Sequence, residues 1–140
     1  MNFKTIMLAA AAVMLSGGIF LAAKPQEKDP ARRILAGGTV SILTETLCPD
    51  VDGYMGPTPL DIRIKKDTIV DIIALGNDES PAYFKEASKI LRKWIGLTPA
   101  EGLELEVDAV SGATFSSDAL IANVRAGLKK ALEKPAAPRK

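Results

Sequence analysis

Leu60-Asp-Ile-Arg-Ile64 alternates strictly between apolar and charged residues. Successive side chains of a β-strand point to opposite faces, so this pattern fits a strand with one buried and one solvated face. Lys66-Asp67 follows as a tight turn, and Thr68 to Leu75 reads as a second, more continuously apolar strand. Leu60 to Leu75 therefore predicts an antiparallel hairpin whose apolar face must be covered by another layer.

The covering layer is legible downstream. Ser80-Pro81 supplies an N-cap residue and a proline at the first helical position. Phe84, Ala87, Leu91 and Trp94 then recur at helical spacing, Lys85, Lys89 and Lys93 mark a solvated face, and Gly96 stands where a helix stops. Trp94 completes the apolar stripe and is read as core. A second helix is expected from Ser117-Asp118 to about Leu132, with the stripe Leu120, Val124, Leu128 and Ala131, and with Lys129 and Lys130 at its C-terminal dipole end. Thr39 to Thr44 and Leu103 to Val107 read as further strands. The fold class is α+β, a small antiparallel sheet with two covering helices. The domain is expected over 38–132, after a charged linker at 24–37 with a short helical turn at Ala31 to Leu35, and before a Pro/Ala/basic tail at 133–140. No internal repeat is present.

The N-terminus has a different character. Met1 to Lys4 is a short positive region, and Ile6 to Ala23 is an uncharged apolar run. It reads as a signal peptide over 1–23 or as a retained helical anchor through 6–23. Leu21 fits the small-residue cleavage rule poorly, and the run just reaches spanning length, so both readings stand. Either one exports the rest of the chain. No cysteine ends the run, which excludes a bacterial lipoprotein anchor, and near-absence of cysteine suits an oxidising compartment.

Composition then narrows the chemistry. There is no histidine and one cysteine. A Ser-His-Asp or Cys-His nucleophile system, a histidine-ligated metal, an internal disulfide and a CxxC pair are all excluded. Cys48 lacks a partner base and reads as an inert thiol. Lys and Arg number 18 against 17 Asp and Glu, and Lys4 is the one charge of the apolar N-terminus, so the remainder is neutral. A neutral body with few aromatics lacks the footprint of a nucleic-acid binder. Chemistry beyond carboxylates, hydroxyls and amines must come from a bound cofactor.

Asp108-Ala-Val-Ser-Gly-Ala-Thr-Phe-Ser-Ser117 is the most informative stretch. It reads as a strand end, a small-residue turn and a helix start. Gly112 permits close backbone approach or a positive φ, and Thr114 places a hydroxyl beside helix N-terminal N–H groups. On these grounds the segment is either a phosphate site or a structural capping turn.

The same residues resemble the flavinylation motif of the FMN-binding domain family, found in subunits of sodium-pumping NADH:quinone reductase and in related electron-transport complexes. Asp108, Ser111, Gly112, Ala113, Thr114 and Ser117 fill the motif positions. Asp52-Gly-Tyr-Met-Gly-Pro57 resembles the family's Gly-Tyr-Gly-Gly-Pro loop, with Met55 in place of a glycine. Asn77-Asp-Glu-Ser-Pro81 resembles its Asn-x-Glu-Thr-Pro segment, with Ser80 in place of threonine. The resemblance implies covalent FMN on Thr114 through a phosphoester, installed by a flavin transferase with FAD as donor. Tyr54, Met55 and Gly56 are the loop's expected cofactor contacts, with Tyr83 and Phe115 as further candidates for ring packing. Asp108 either orients the turn or serves the transferase. The expected function is an exported electron carrier working between membrane-bound and periplasmic redox partners. A small flavin-dependent reductase and a non-redox exported module are the alternatives.

Overall fold

In the computed structural model, which describes residues 29–133, four strands form one antiparallel meander. They are β1 (Arg32–Ile34), β2 (Val40–Leu43), β3 (Leu60–Lys65) and β4 (Thr68–Ala74), hydrogen-bonded in that order. The expected α+β class and the hairpin are both present. Leu60, Ile62 and Ile64 of β3 are buried in the core, while Asp61 and Arg63 pair on the opposite face at 3.0 Å. Ile42, Ile62 and Ile72 stand opposite one another across three strands. The hairpin turn uses φ of 50° at Lys66 and 60° at Asp67, a left-handed pair usually filled by Asn-Gly.

The near-continuous apolar run of β4 has a geometric cause. Arg63 pairs with Asp71 but Ile64 pairs with Ile69, so Val70 is an extra residue. This bulge resets the alternation and lets both Ile69 and Ile72 face the core, leaving Val70 exposed.

Three helices and a 3-10 segment cover the sheet, where two helices were expected. Helix α1 (Pro81–Ser88) passes into a 3-10 turn at Lys89–Trp94 instead of continuing to Gly96. That segment buries Ile90, Leu91 and Trp94, with the indole N–H donating to the Gly102 carbonyl at 3.1 Å. Trp94 is core, as its stripe implied, and Lys85, Lys89 and Lys93 are solvated.

Helix α2 (Pro99–Glu104) and an unpaired stretch replace the strand expected at Leu103 to Val107. Thr98 and Glu101 form a reciprocal capping box and Pro99 starts the helix, which outweighs the alternating Leu-Glu-Leu-Glu-Val pattern. The carbonyls of Leu103 and Leu105 accept hydrogen bonds from Arg125, so no neighbouring strand is needed to satisfy them.

Helix α3 (Thr114–Leu132) begins three residues before the expected Ser117. It buries Leu120, Val124 and Leu128 against the sheet. Asn123 accepts from the buried Thr44 hydroxyl at 2.6 Å, and a Cβ at Gly127 would collide with Ile62, so this helix lies close on β2 and β3.

The linker expectation fails from Asp29 onward. Ala31 is buried, and Arg32–Ile34 is an edge strand paired with Val40–Ile42, with no helical turn at Ala31 to Leu35. The charges that suggested a solvated linker are ties to the end of α3. Arg32 donates to the carbonyls of Lys130 and Glu133, and Asp29 pairs with Lys130 at 2.8 Å. The segment expected at 1–23, the linker before Asp29 and the tail from 134 lie outside the described residues. Among the described residues no helix is long and apolar enough to cross a membrane.

Candidate functional site

The loop between β2 and β3 closes on itself through an Asp52–Pro57 bridge and a Gly53 N–H to Gly56 carbonyl bond of 2.7 Å. Tyr54 and Met55 form its tip, and both are largely exposed.

The loop is held from beneath by Glu79, which is 6% exposed. Its carboxylate accepts the N–H of Tyr54 at 3.0 Å and of Met55 at 2.5 Å, and it also accepts the hydroxyl of Ser116 from α3. Burial pushes the Glu79 carboxyl up. The Ser116 hydroxyl and the N–H groups of Met55, Tyr54 and Gly56 outweigh that effect and hold it below the ordinary glutamate range. Asn77 positions the segment, accepting from the Glu79 N–H at 3.1 Å and donating to the Leu75 carbonyl at 3.0 Å. Gly53 leaves room for this arrangement, since a Cβ there would run into the Glu79 carboxylate.

The turn before α3 is built around Ser117, which is fully buried. Its hydroxyl accepts from the Val110 N–H at 3.0 Å and donates to the Ala113 carbonyl at 2.7 Å. Gly112 takes φ of 84°, in the left-handed region. Thr114 is the first residue of α3 and is exposed, and no side chain caps the helix start. The first turn contains no acid.

These elements meet in a cleft of about 290 Å³. Gly112, Ala113 and Thr114 line it together with Tyr54, Glu79 and Tyr83. Ser80, Phe115 and Ser116 complete it. The rings of Tyr54 and Phe115 lie nearly parallel, 17° apart in tilt, with centroids 6.3 Å apart. No Lys or Arg is among the lining residues.

Of the residues expected at the site, Thr114, Gly112, Ala113 and Tyr54 share this cleft, together with Tyr83 and Phe115. Met55 and Gly56 belong to the loop but do not line it, and Ser117 acts from beneath as a buried tie. Ser111 and Asp108 are exposed and outside the lining. Among the described residues no group hydrogen-bonds the Asp108 side chain, so Ser117 rather than Asp108 orients the turn. Glu79 and Ser116 are a hydrogen-bonded pair lining the cleft to which sequence reasoning assigned no role. The signal was the glutamate of the Asn77 to Pro81 segment, at the position of the family's Asn-x-Glu-Thr-Pro acid. Cys48 is remote in role: its thiol points to the Ala122 carbonyl, and burial pushes its pKa up.

The donor set fits a flavin nucleotide. An uncapped start of a 19-residue helix favours a phosphate, a hydroxyl stands at that point, and aromatic faces lie beside it for a planar ring. The cleft is at the small end of ligand pockets, which span about 300–1,000 Å³, so a bound ring system would remain partly open to solvent. No curated protein sequence matches the chain. The family model of the FMN-binding domain matches residues 53–129, from the loop at Gly53 into the last turns of α3. The chain belongs to the FMN-binding domain family.

Proposed function

We propose that the protein is an exported electron-transfer flavoprotein that carries FMN covalently on Thr114. The observation that carries this reading is the fate of the hydroxyls around the start of α3. Ser116 is engaged by Glu79 and Ser117 by the turn, whereas Thr114 is exposed in the cleft beside uncapped helix amides. Ser111 is also exposed but stands outside the cleft lining.

Attachment joins the Thr114 oxygen to the phosphorus of the FMN half of FAD. The bond from that phosphorus to the AMP phosphate breaks, the hydroxyl proton is lost, and AMP leaves. A flavin transferase catalyses this step. The helix start stabilises the remaining phosphodiester charge through its N–H groups. A cleft without Lys or Arg holds a free phosphate dianion weakly, and a covalent bond removes that weakness outside the cytoplasm. Bound FMN supplies one- and two-electron redox chemistry. The chain's own residues hold and orient it: Tyr54, Tyr83 and Phe115 offer ring faces, and the clasped loop fixes one side of the cleft.

Electron relay is favoured over direct substrate reduction by the state of Glu79. It is the one carboxyl lining the cleft, and its hydroxyl and amide donors hold it below the ordinary glutamate range, which disfavours it as a proton donor. Export rests on the apolar run Ile6 to Ala23, either as a cleaved signal or as an anchor. The redox partners are membrane-bound or periplasmic.

Intact mass of the protein co-expressed with a flavin transferase tests attachment. The wild type gains one FMN less one water and fluoresces in a denaturing gel. Thr114→Ala loses both completely while keeping its far-UV circular dichroism. A wild type that gains no mass under these conditions ends the covalent reading.

A further inference from the structure

We propose that Glu79 is a positioning residue for the flavin, clasping the Tyr54–Gly56 loop to the first turn of α3 and placing a fixed negative charge in the cleft wall. This rests on the FMN reading above.

The geometry is a two-sided clasp. One side chain binds the loop through the Tyr54 and Met55 N–H groups, and binds α3 through the Ser116 hydroxyl. The two elements carry the stacked rings. Tyr54 is itself held by its own N–H, and Phe115 is the immediate neighbour of Ser116. The clasp therefore sets the 6.3 Å spacing of the two rings. No other hydrogen bond among the described residues joins the loop at 53–56 to α3. The approach is close enough that a Cβ at residue 53 would displace the Glu79 carboxylate from the clasp.

The same carboxylate faces the cofactor space. Glu79 is buried and lines the cleft, so its charge is screened less than a surface charge. Reduction adds negative charge to that space. A fixed anion in the wall opposes it and lowers the flavin's midpoint potential. Glu79→Gln keeps the shape and one carbonyl acceptor but removes the charge.

The test uses the full chain co-expressed with a flavin transferase. Loading is read first by intact mass, and the midpoint potential then by spectroelectrochemistry. Loaded Glu79→Gln is expected at a more positive potential than the wild type. Its flavin fluorescence is expected to be higher, because the ring platform is released. The wild-type potential and fluorescence in loaded Glu79→Gln overturn the proposal.

Ser116→Ala covers the case in which Glu79→Gln fails to fold. It is placed in the unloaded Thr114→Ala background and read by amide hydrogen exchange. The Tyr54 and Met55 amides should exchange about fivefold faster, the factor expected for one net hydrogen bond, with the Ile62 and Leu120 amides unchanged. Unchanged exchange at Tyr54 and Met55 overturns the clasp. A wild type that never acquires FMN sinks the attachment reading instead, and the exchange experiment still decides the clasp.

Discussion

The two ends of helix α3 solve the same problem in opposite ways. Every helix leaves N–H groups unpaired at its start and carbonyls unpaired at its end. At the end of α3 the protein supplies the partners itself. The Arg32 guanidinium donates to the carbonyls of Lys130 and Glu133 at 2.6 and 2.9 Å, and Asp29 neutralises Lys130. At the start no side chain caps the helix. The polar groups nearby, Glu79 and Ser117, are spent on holding the loop and the turn in place. A helix end finished by the chain is structure; a helix end left open within an aromatic cleft is a place for a ligand. In this protein the apolar middle of α3, Leu120 to Leu128, fixes the two ends relative to the sheet.

Substitutions at each end should separate these roles. Ser117→Ala is the larger perturbation. It leaves the Val110 N–H and the Ala113 carbonyl without their side-chain partner at a fully buried position. The expected cost is about 2 kcal/mol, read from urea midpoints. FMN loading should slow as well, because Gly112 to Thr114 lose their anchor; normal loading would show that the turn does not depend on Ser117. Arg32→Ala should cost about 1.5 kcal/mol by uncapping the far end. Its loading by the transferase should match that of the wild type. Slower loading in Arg32→Ala would mean that the ends are coupled and would break the comparison.

The same contrast explains what could be read from the sequence. The hairpin was legible because an alternating pattern needs only local residues, and Trp94 because its stripe repeats every turn. The motif around Thr114 was legible as a contiguous string. Edge strand β1 was not, because it is three residues long and its two arginines read as solvated, although Arg32 is tied to carbonyls 98 and 101 residues away. Leu103 to Val107 misled through its alternation, which the capping box at Thr98 and Glu101 overrides. Glu79 could be quoted within a motif but not given a role. Its partners lie 24, 25 and 37 residues away, and no spacing rule joins them.

Acid provides the finest discrimination between the two ends. Each has a carboxylate held below its ordinary range. At Asp29 the hydrogen bond from Lys130 is the main cause, followed by that from the Ala31 N–H. At Glu79 burial opposes the shift, and the hydroxyl and amide donors overcome it. A lowered folded pKa means that the unfolded chain takes up protons first. Stability is then fully present above the unfolded value, about 4 for these groups, and is lost as pH falls through the lower folded value. Both groups therefore weaken the fold on acidification, but through different media. The Asp29 side chain is 37% exposed, so its pair with Lys130 is screened by salt and contributes little. The Glu79 carboxylate is buried and answers to fixed N–H and O–H dipoles. Urea midpoints measured from pH 6 down to pH 3 should fall less steeply in Glu79→Gln than in the wild type, at low and at high salt alike. Asp29→Asn should flatten the curve slightly, and only at low salt. Equal flattening by the two variants would show that the start of α3 is as solvated as its end, and the cleft would lose the buried charge that distinguishes it.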